Sequence, residues 1–106
     1  MKMINCTPHN INVVKGSEVI TIEPSGIIPR VEMETKTSSP IDGFEVETLE
    51  TKGVEGLPAP KEDTVYICSA MVAQAAKRGD VIAPNTNKAE RNEKGHIISV
   101  PGFVRY

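Results

Sequence analysis

The chain has 106 residues, 39% of them hydrophobic, with 12 basic and 14 acidic side chains and a net charge of −2. A chain of this size fits one domain spanning residues 1–106. The interspersed, slightly acidic charge argues against duplex nucleic acid as a partner, since that selects a basic face. No apolar run approaches the roughly 20 residues that span a bilayer, so no membrane association is expected. The start, Met1 to Cys6, lacks the apolar stretch of a signal peptide, and a cytoplasmic protein is expected. Aromatic residues make up 4% with no Trp, so the core must come from Ile, Val, Leu, Met and Ala.

Met3 to Cys6 reads as a first short strand, broken by Pro8, which lacks an amide donor. Ile11 to Lys15 and Glu18 to Glu23 form a predicted hairpin across Lys15-Gly16-Ser17. Pro24-Ser25-Gly26 is a turn. Ile27 to Thr37 resumes an extended pattern, Asp42-Gly43 marks another turn, and Phe44 to Leu49 alternates as a strand. Gly53 to Pro60 is rich in turn residues and reads as irregular. Thr64 to Cys68 is a short, continuous apolar run, the pattern of an interior strand.

Ser69 follows as a helix N-cap. Ala70 to Arg78 holds strong helix formers, with Met71, Val72, Ala75 and Ala76 on one side. Gly79 is the expected C-terminal cap. Asp80 to Arg91 reads as a polar loop containing Pro84-Asn85-Thr86-Asn87. Asn92 to Gly95 is a turn, His96 to Val100 a strand, and Phe103 to Tyr106 a short extension. The expected fold class is α+β: a small, antiparallel-dominated sheet, able to curl toward a barrel, with one short helix. Its exposed strand edges favour pairing between copies, so a homo-oligomer is expected.

The segment from Asp63 to Asn85 is the strongest candidate for a site. A strand running into a helix start leaves backbone N–H groups free to meet an anion, here after Ser69 and Ala70. Arg30, Arg78 and Arg91 lie beside turns, and a guanidinium matches phosphate in two-point contact. Asp80, Asn85 and Asn5 can take ribose or base edges, and His9 stands among the polar groups at the first strand's end.

Cys6 and His9 have metal-ligand spacing, with Cys68 and His96 as distant complements for zinc. The second close-spaced pair of a zinc knuckle is missing. Both cysteines sit among apolar residues and read as buried reduced thiols, so no metal and no cofactor is expected. Ser69 lacks the flanking glycines of a nucleophile elbow, since positions 67 and 71 are Ile and Met. No complete catalytic set is visible, and the expectation is a protein that is not an enzyme.

Motifs across nearly the whole chain carry a resemblance. They are Asn5-Cys6-Thr7-Pro8-His9, Pro24-Ser25-Gly26 with Arg30-Val31, Gly56-Leu57-Pro58, Tyr66-Ile67-Cys68-Ser69 with Arg78-Gly79-Asp80, and Arg91 with Gly95. In these the chain resembles a family of small uncharacterised proteins encoded by phages and prophages. In that family position 6 is often aliphatic, which makes Cys6 a core position.

In size, acidity and expected oligomerisation the chain is also similar, as a class, to phage anti-defence sponges. These sequester nucleotide signals of Thoeris or CBASS immunity, such as cyclic ADP-ribose isomers and cyclic oligonucleotides. The resulting expectation is a non-enzymatic protein that binds a nucleotide-like small molecule. One alternative is a phage structural or host-protein interaction module. The other is a small hydrolase or nuclease using His9.

Overall fold

Ten strands and one helix make up the computed structural model, which describes residues 1–106. In chain order these are β1 (Lys2–Asn5), β2 (Ile11–Lys15), β3 (Glu18–Ile22), β4 (Arg30–Ile41), β5 (Phe44–Glu55) and β6 (Thr64–Ile67). Then come α1 (Ala70–Ala76), β7 (Val81–Pro84), β8 (Glu90–Arg91), β9 (Ile97–Ser99) and β10 (Phe103–Arg105). The fold is thus strand-rich α+β with one short helix, as the sequence suggested. No helix is long and apolar enough to cross a membrane.

The central sheet has the order β1-β6-β7-β10. β1 runs parallel to β6 and β6 parallel to β7, while β10 closes the edge antiparallel to β7. The central sheet is thus mixed, and the expected curl toward a barrel is not found, although antiparallel pairing still dominates the chain in four of its six strand pairs. The other pairings are separate two-stranded hairpins, and no sheet closes on itself. The parallel order follows from the connection, because a helix carries the chain back across the sheet between β6 and β7.

The apolar run of β6 is buried on both faces, as a parallel interior strand requires. Tyr66 and Cys68 face a core shared with Cys6, Val72, Ala73, Val81 and Ala83 beneath α1. Val65 and Ile67 face the opposite core, with Ile11, Ile82 and Val100. The β2–β3 hairpin covers that second face and packs Val13 and Ile22 against it. β7 obeys the same alternation, although in sequence it lies within a polar stretch, Asp80 to Arg91. Four residues are too few for periodicity to reveal, and only the slot beside β6 makes them a strand.

Ser69 caps α1, its Oγ accepting from Val72 N at 3.4 Å. The helix stops at Ala76 rather than Arg78, and Lys77, not Gly79, takes the left-handed cap conformation at φ 50°. The chain turns early because the Arg78 side chain folds back onto Asp80 and the Pro58 carbonyl. The buried helix residues are Val72 and Ala73, whereas Met71, expected to face inward, is exposed.

β4 and β5 form a two-stranded arm, longer than the sequence indicated because Gly53 to Glu55 continue the ladder instead of starting a loop. A bulge leaves Lys52 without a partner in the backbone ladder, although its Nζ lies 3.8 Å from Glu34 on the opposite strand. Gly53 beside it has φ 148°, which glycine tolerates best. At the tip Asp42 and Gly43, both at positive φ, make the two-residue turn that matches strand twist.

Candidate functional site

Because β1, β6 and β7 are parallel, their carboxyl ends open on one edge of the sheet. Ligands of open parallel sheets bind outside that edge. Here Thr7 to Asn10 leave β1, Ser69 and Ala70 leave β6, and Pro84 to Thr86 leave β7. The β8–β9 hairpin lies across these loops. Together the segments enclose a cleft of about 970 Å3, within the range of small-molecule sites.

Asn5 fixes one wall. Its side chain is fully buried, and its Nδ2 donates to the carbonyls of His9 at 2.8 Å and Ile22 at 2.9 Å. Its Oδ1 accepts from Thr7 N at 2.9 Å and lies 2.7 Å from the Thr7 hydroxyl. This is Asx-turn chemistry. The Asn5 carbonyl accepts from Ser25 N and Oγ, which ties the Pro24–Gly26 turn to the same point. One buried amide therefore sets the path of the loop that carries His9.

The opposite wall is the turn from Arg91 to His96. Asn92 Oδ1 accepts from Lys94 N at 2.9 Å and His96 N at 3.0 Å. Arg91 Nη1 donates to the Gly95 carbonyl at 2.9 Å and leaves its other N–H groups available. The lining thus holds one guanidinium, the imidazoles of His9 and His96, and the hydroxyls of Thr7, Ser69 and Thr86. No carboxylate lines the cleft, although acidic side chains outnumber basic ones in the chain. Ile97 and Ile98 add apolar surface.

The cleft gathers four of the sequence-predicted site residues: Ser69, Ala70, His9 and Arg91. Asn5 lies beneath it, its amide committed to the loop. Asn85 sits at the rim between lining residues Pro84 and Thr86, its N–H donating to the Gly102 carbonyl. Arg30 is exposed at the base of the arm. His96 and Thr86 join the site without having been singled out as ligand contacts. The Asn92-to-Gly95 turn signal beside Arg91 is what could have pointed to His96.

Arg78 and Asp80 lie at the far end of α1. They form a two-point ion pair, Nε to Oδ1 at 2.9 Å and Nη2 to Oδ2 at 2.6 Å. Nη1 donates to the Pro58 carbonyl at 2.9 Å, and the guanidinium lies 5.8 Å from the Tyr66 ring centroid. The hydrogen bonds from Arg78 hold the Asp80 carboxyl below its usual range. This cluster joins the Pro58 loop to the central sheet and does not reach the cleft.

Cys6 and Cys68 are adjacent, buried and unbonded to each other covalently. Burial raises both thiols, Cys68 to about 12 with the neighbouring Cys6 adding to the shift. They face the core under α1, and no three His, Cys, Asp or Glu side chains converge as a metal site would need. The Ser69 hydroxyl bonds Val72 N and no imidazole. No protein-family model, curated protein or solved structure matches the chain.

Proposed function

We propose that the protein binds a small phosphorylated, nucleotide-like ligand in the cleft at the carboxyl edge of β1, β6 and β7, without turning it over. The observation that carries this reading is the lining: Arg91, two imidazoles and several hydroxyls with no carboxylate, in an otherwise acidic chain. Such a set suits an anionic group flanked by hydroxyls, and Ile97 and Ile98 suit the face of a base. The absence of a hydrogen-bonded nucleophile and base favours binding over catalysis.

In the finer form of this proposal the protein is a phage anti-defence sponge in the host cytoplasm. Its ligand is then a cyclic ADP-ribose isomer or a cyclic oligonucleotide. Titration calorimetry against both compound classes tests it. Binding is expected, and Arg91→Ala should weaken it about 10- to 100-fold, the effect of one hydrogen bond to a charged group. No heat with any nucleotide, or equal affinity in Arg91→Ala, refutes the reading.

A second reading, a phage structural or host-protein interaction module, draws on the projecting arm and its exposed Ile41 and Phe44. Recovery of a host or virion protein, with no small molecule retained in native mass spectra, would favour it.

A further inference from the structure

The surface of this chain is too large for a self-contained monomer. A compact chain of this size exposes about 5,800 Å2, whereas this one exposes 7542 Å2. The surplus is about 1,700 Å2. The radius of gyration is 16.8 Å, against about 13 Å for a compact domain. Only 15 of 106 residues are buried, and the β4–β5 arm accounts for the extension. An isolated two-stranded ribbon is marginally stable in water, so an arm with 12-residue strands needs a surface to lie on.

The arm has the chemistry of an interface. Phe44 is 74% exposed and Ile41 63%, directly paired at the tip. Leu49, 60% exposed, lies midway. Residues 30–55 carry three basic and seven acidic side chains, a net charge of −4, which leaves +2 on the rest of the chain. The arm therefore disfavours nucleic acid and anionic lipid, and it complements the body of its own kind.

That body offers a receptor. Between the arm's base and α1 lies a groove of about 510 Å3, lined by Met33, Thr51, Lys52, Met71, Ala75 and Lys77. Met71, 57% exposed on α1, forms part of its wall. Two thioethers match the apolar Ile41 and Phe44, and the ammonium groups of Lys77 and of Lys52, which lies 3.8 Å from Glu34, match the carboxylate of Asp42 at the turn.

We propose that the arm docks on a second copy of this chain, the Ile41–Phe44 tip of each copy seated in the Met33–Met71 groove of the other. Eight residues separate Met33 from Ile41 along β4, about 27 Å at strand rise. Two arms laid antiparallel about a two-fold axis place each tip on the other's groove at once. Such an interface is self-complementary and closes without leaving an open end. A standard interface buries about 800 Å2 per partner, well within the surplus. The proposed contact uses the arm and the α1 groove and is independent of the cleft.

Light scattering coupled to size exclusion, with native mass spectrometry of the full chain, tests it. The wild type should be a dimer. Phe44→Asp and Met71→Asp should each raise the dissociation constant about thirtyfold or more, the scale of an interface hot spot. Far-UV circular dichroism should stay unchanged, because neither residue contributes to the core.

Cross-linking is the second measurement. Mixing Phe44→Cys chains with Met71→Cys chains under mild oxidation should give a disulfide-linked pair that neither variant forms alone. A wild type that stays monomeric through the micromolar range overturns the proposal. So does a Phe44→Asp chain that dimerises as well as the wild type, or a mixture that yields no cross-link.

Discussion

Asn5→Ala should be among the most damaging single changes in the chain. The side chain is 1% exposed and supplies two amide donors and one acceptor oxygen. Truncation strips the Ile22 carbonyl and the Thr7 N–H of the Asn5 side chain, while the His9 carbonyl keeps only the Thr7 hydroxyl at 3.0 Å. Each polar group left unsatisfied costs about 1–3 kcal/mol when buried, and less where water reaches it, as at the His9 rim. The expected loss is about 2–4 kcal/mol, a large part of the roughly 5–15 kcal/mol that holds a domain together. For this size it corresponds to a fall in Tm of about 10–25 °C.

Urea and thermal unfolding followed by circular dichroism measure the Asn5→Ala effect directly. Asn5→Asp divides it. The variant keeps the acceptor for Thr7 but turns a carboxylate toward two carbonyls. Its folded state favours the protonated acid, so its stability should be lowest at neutral pH and recover as pH falls toward the carboxylate range. A loss below about 1 kcal/mol for Asn5→Ala, or no recovery of Asn5→Asp in acid, would refute the role given to this amide.

Other outcomes follow from the same structure. Arg78→Ala removes the pairing with Asp80, the bond to the Pro58 carbonyl and the stacking on Tyr66, and should cost about 2 kcal/mol in denaturant unfolding. The Asp80 carboxyl is depressed in the folded state by Arg78. Its contribution is therefore present above the unfolded carboxylate value of about 3.9 and lost as pH falls through the folded one. Asp80→Asn should flatten the acid limb of a stability–pH curve, and an unchanged limb would contradict the assignment. Cys6 and Cys68, buried and raised, should resist a thiol-specific colorimetric reagent in native buffer and react fully in denaturant.

The local features legible beforehand have local causes. Ser69 reads as an N-cap because a hydroxyl before a run of helix formers has one favourable use, and the structure shows it in that use. The turn at Gly16-Ser17 and the Asp42-Gly43 tip were legible because positive φ restricts the residues that can stand there. The run from Thr64 to Cys68 read as interior because apolar residues on both sides of a strand require cover on both faces. β7 was not legible: Val81 to Pro84 is too short to show a period and lies among polar residues. The helix end was misplaced because Gly79 is the better intrinsic cap, yet Arg78 is drawn away by Asp80 in the same turn and by Pro58 and Tyr66 from two other segments.

The site divides along the same line. Ser69, Ala70, His9 and Arg91 were singled out one by one from turn and cap chemistry, while Arg78 and Asp80 carried equal weight in the sequence. Only the parallel order of β1, β6 and β7 separates the two groups. It carries the first set to the carboxyl edge of the sheet and leaves the ion pair at the far end of α1. The sequence by itself determined which segments extend, turn and cap, because backbone conformation depends on near neighbours. Tertiary structure decided which strand ends share an edge and that the Thr7–Asn10 loop and the β8–β9 hairpin meet over it. Those are pairings between residues far apart in the chain, chosen by which arrangement buries β6 on both faces.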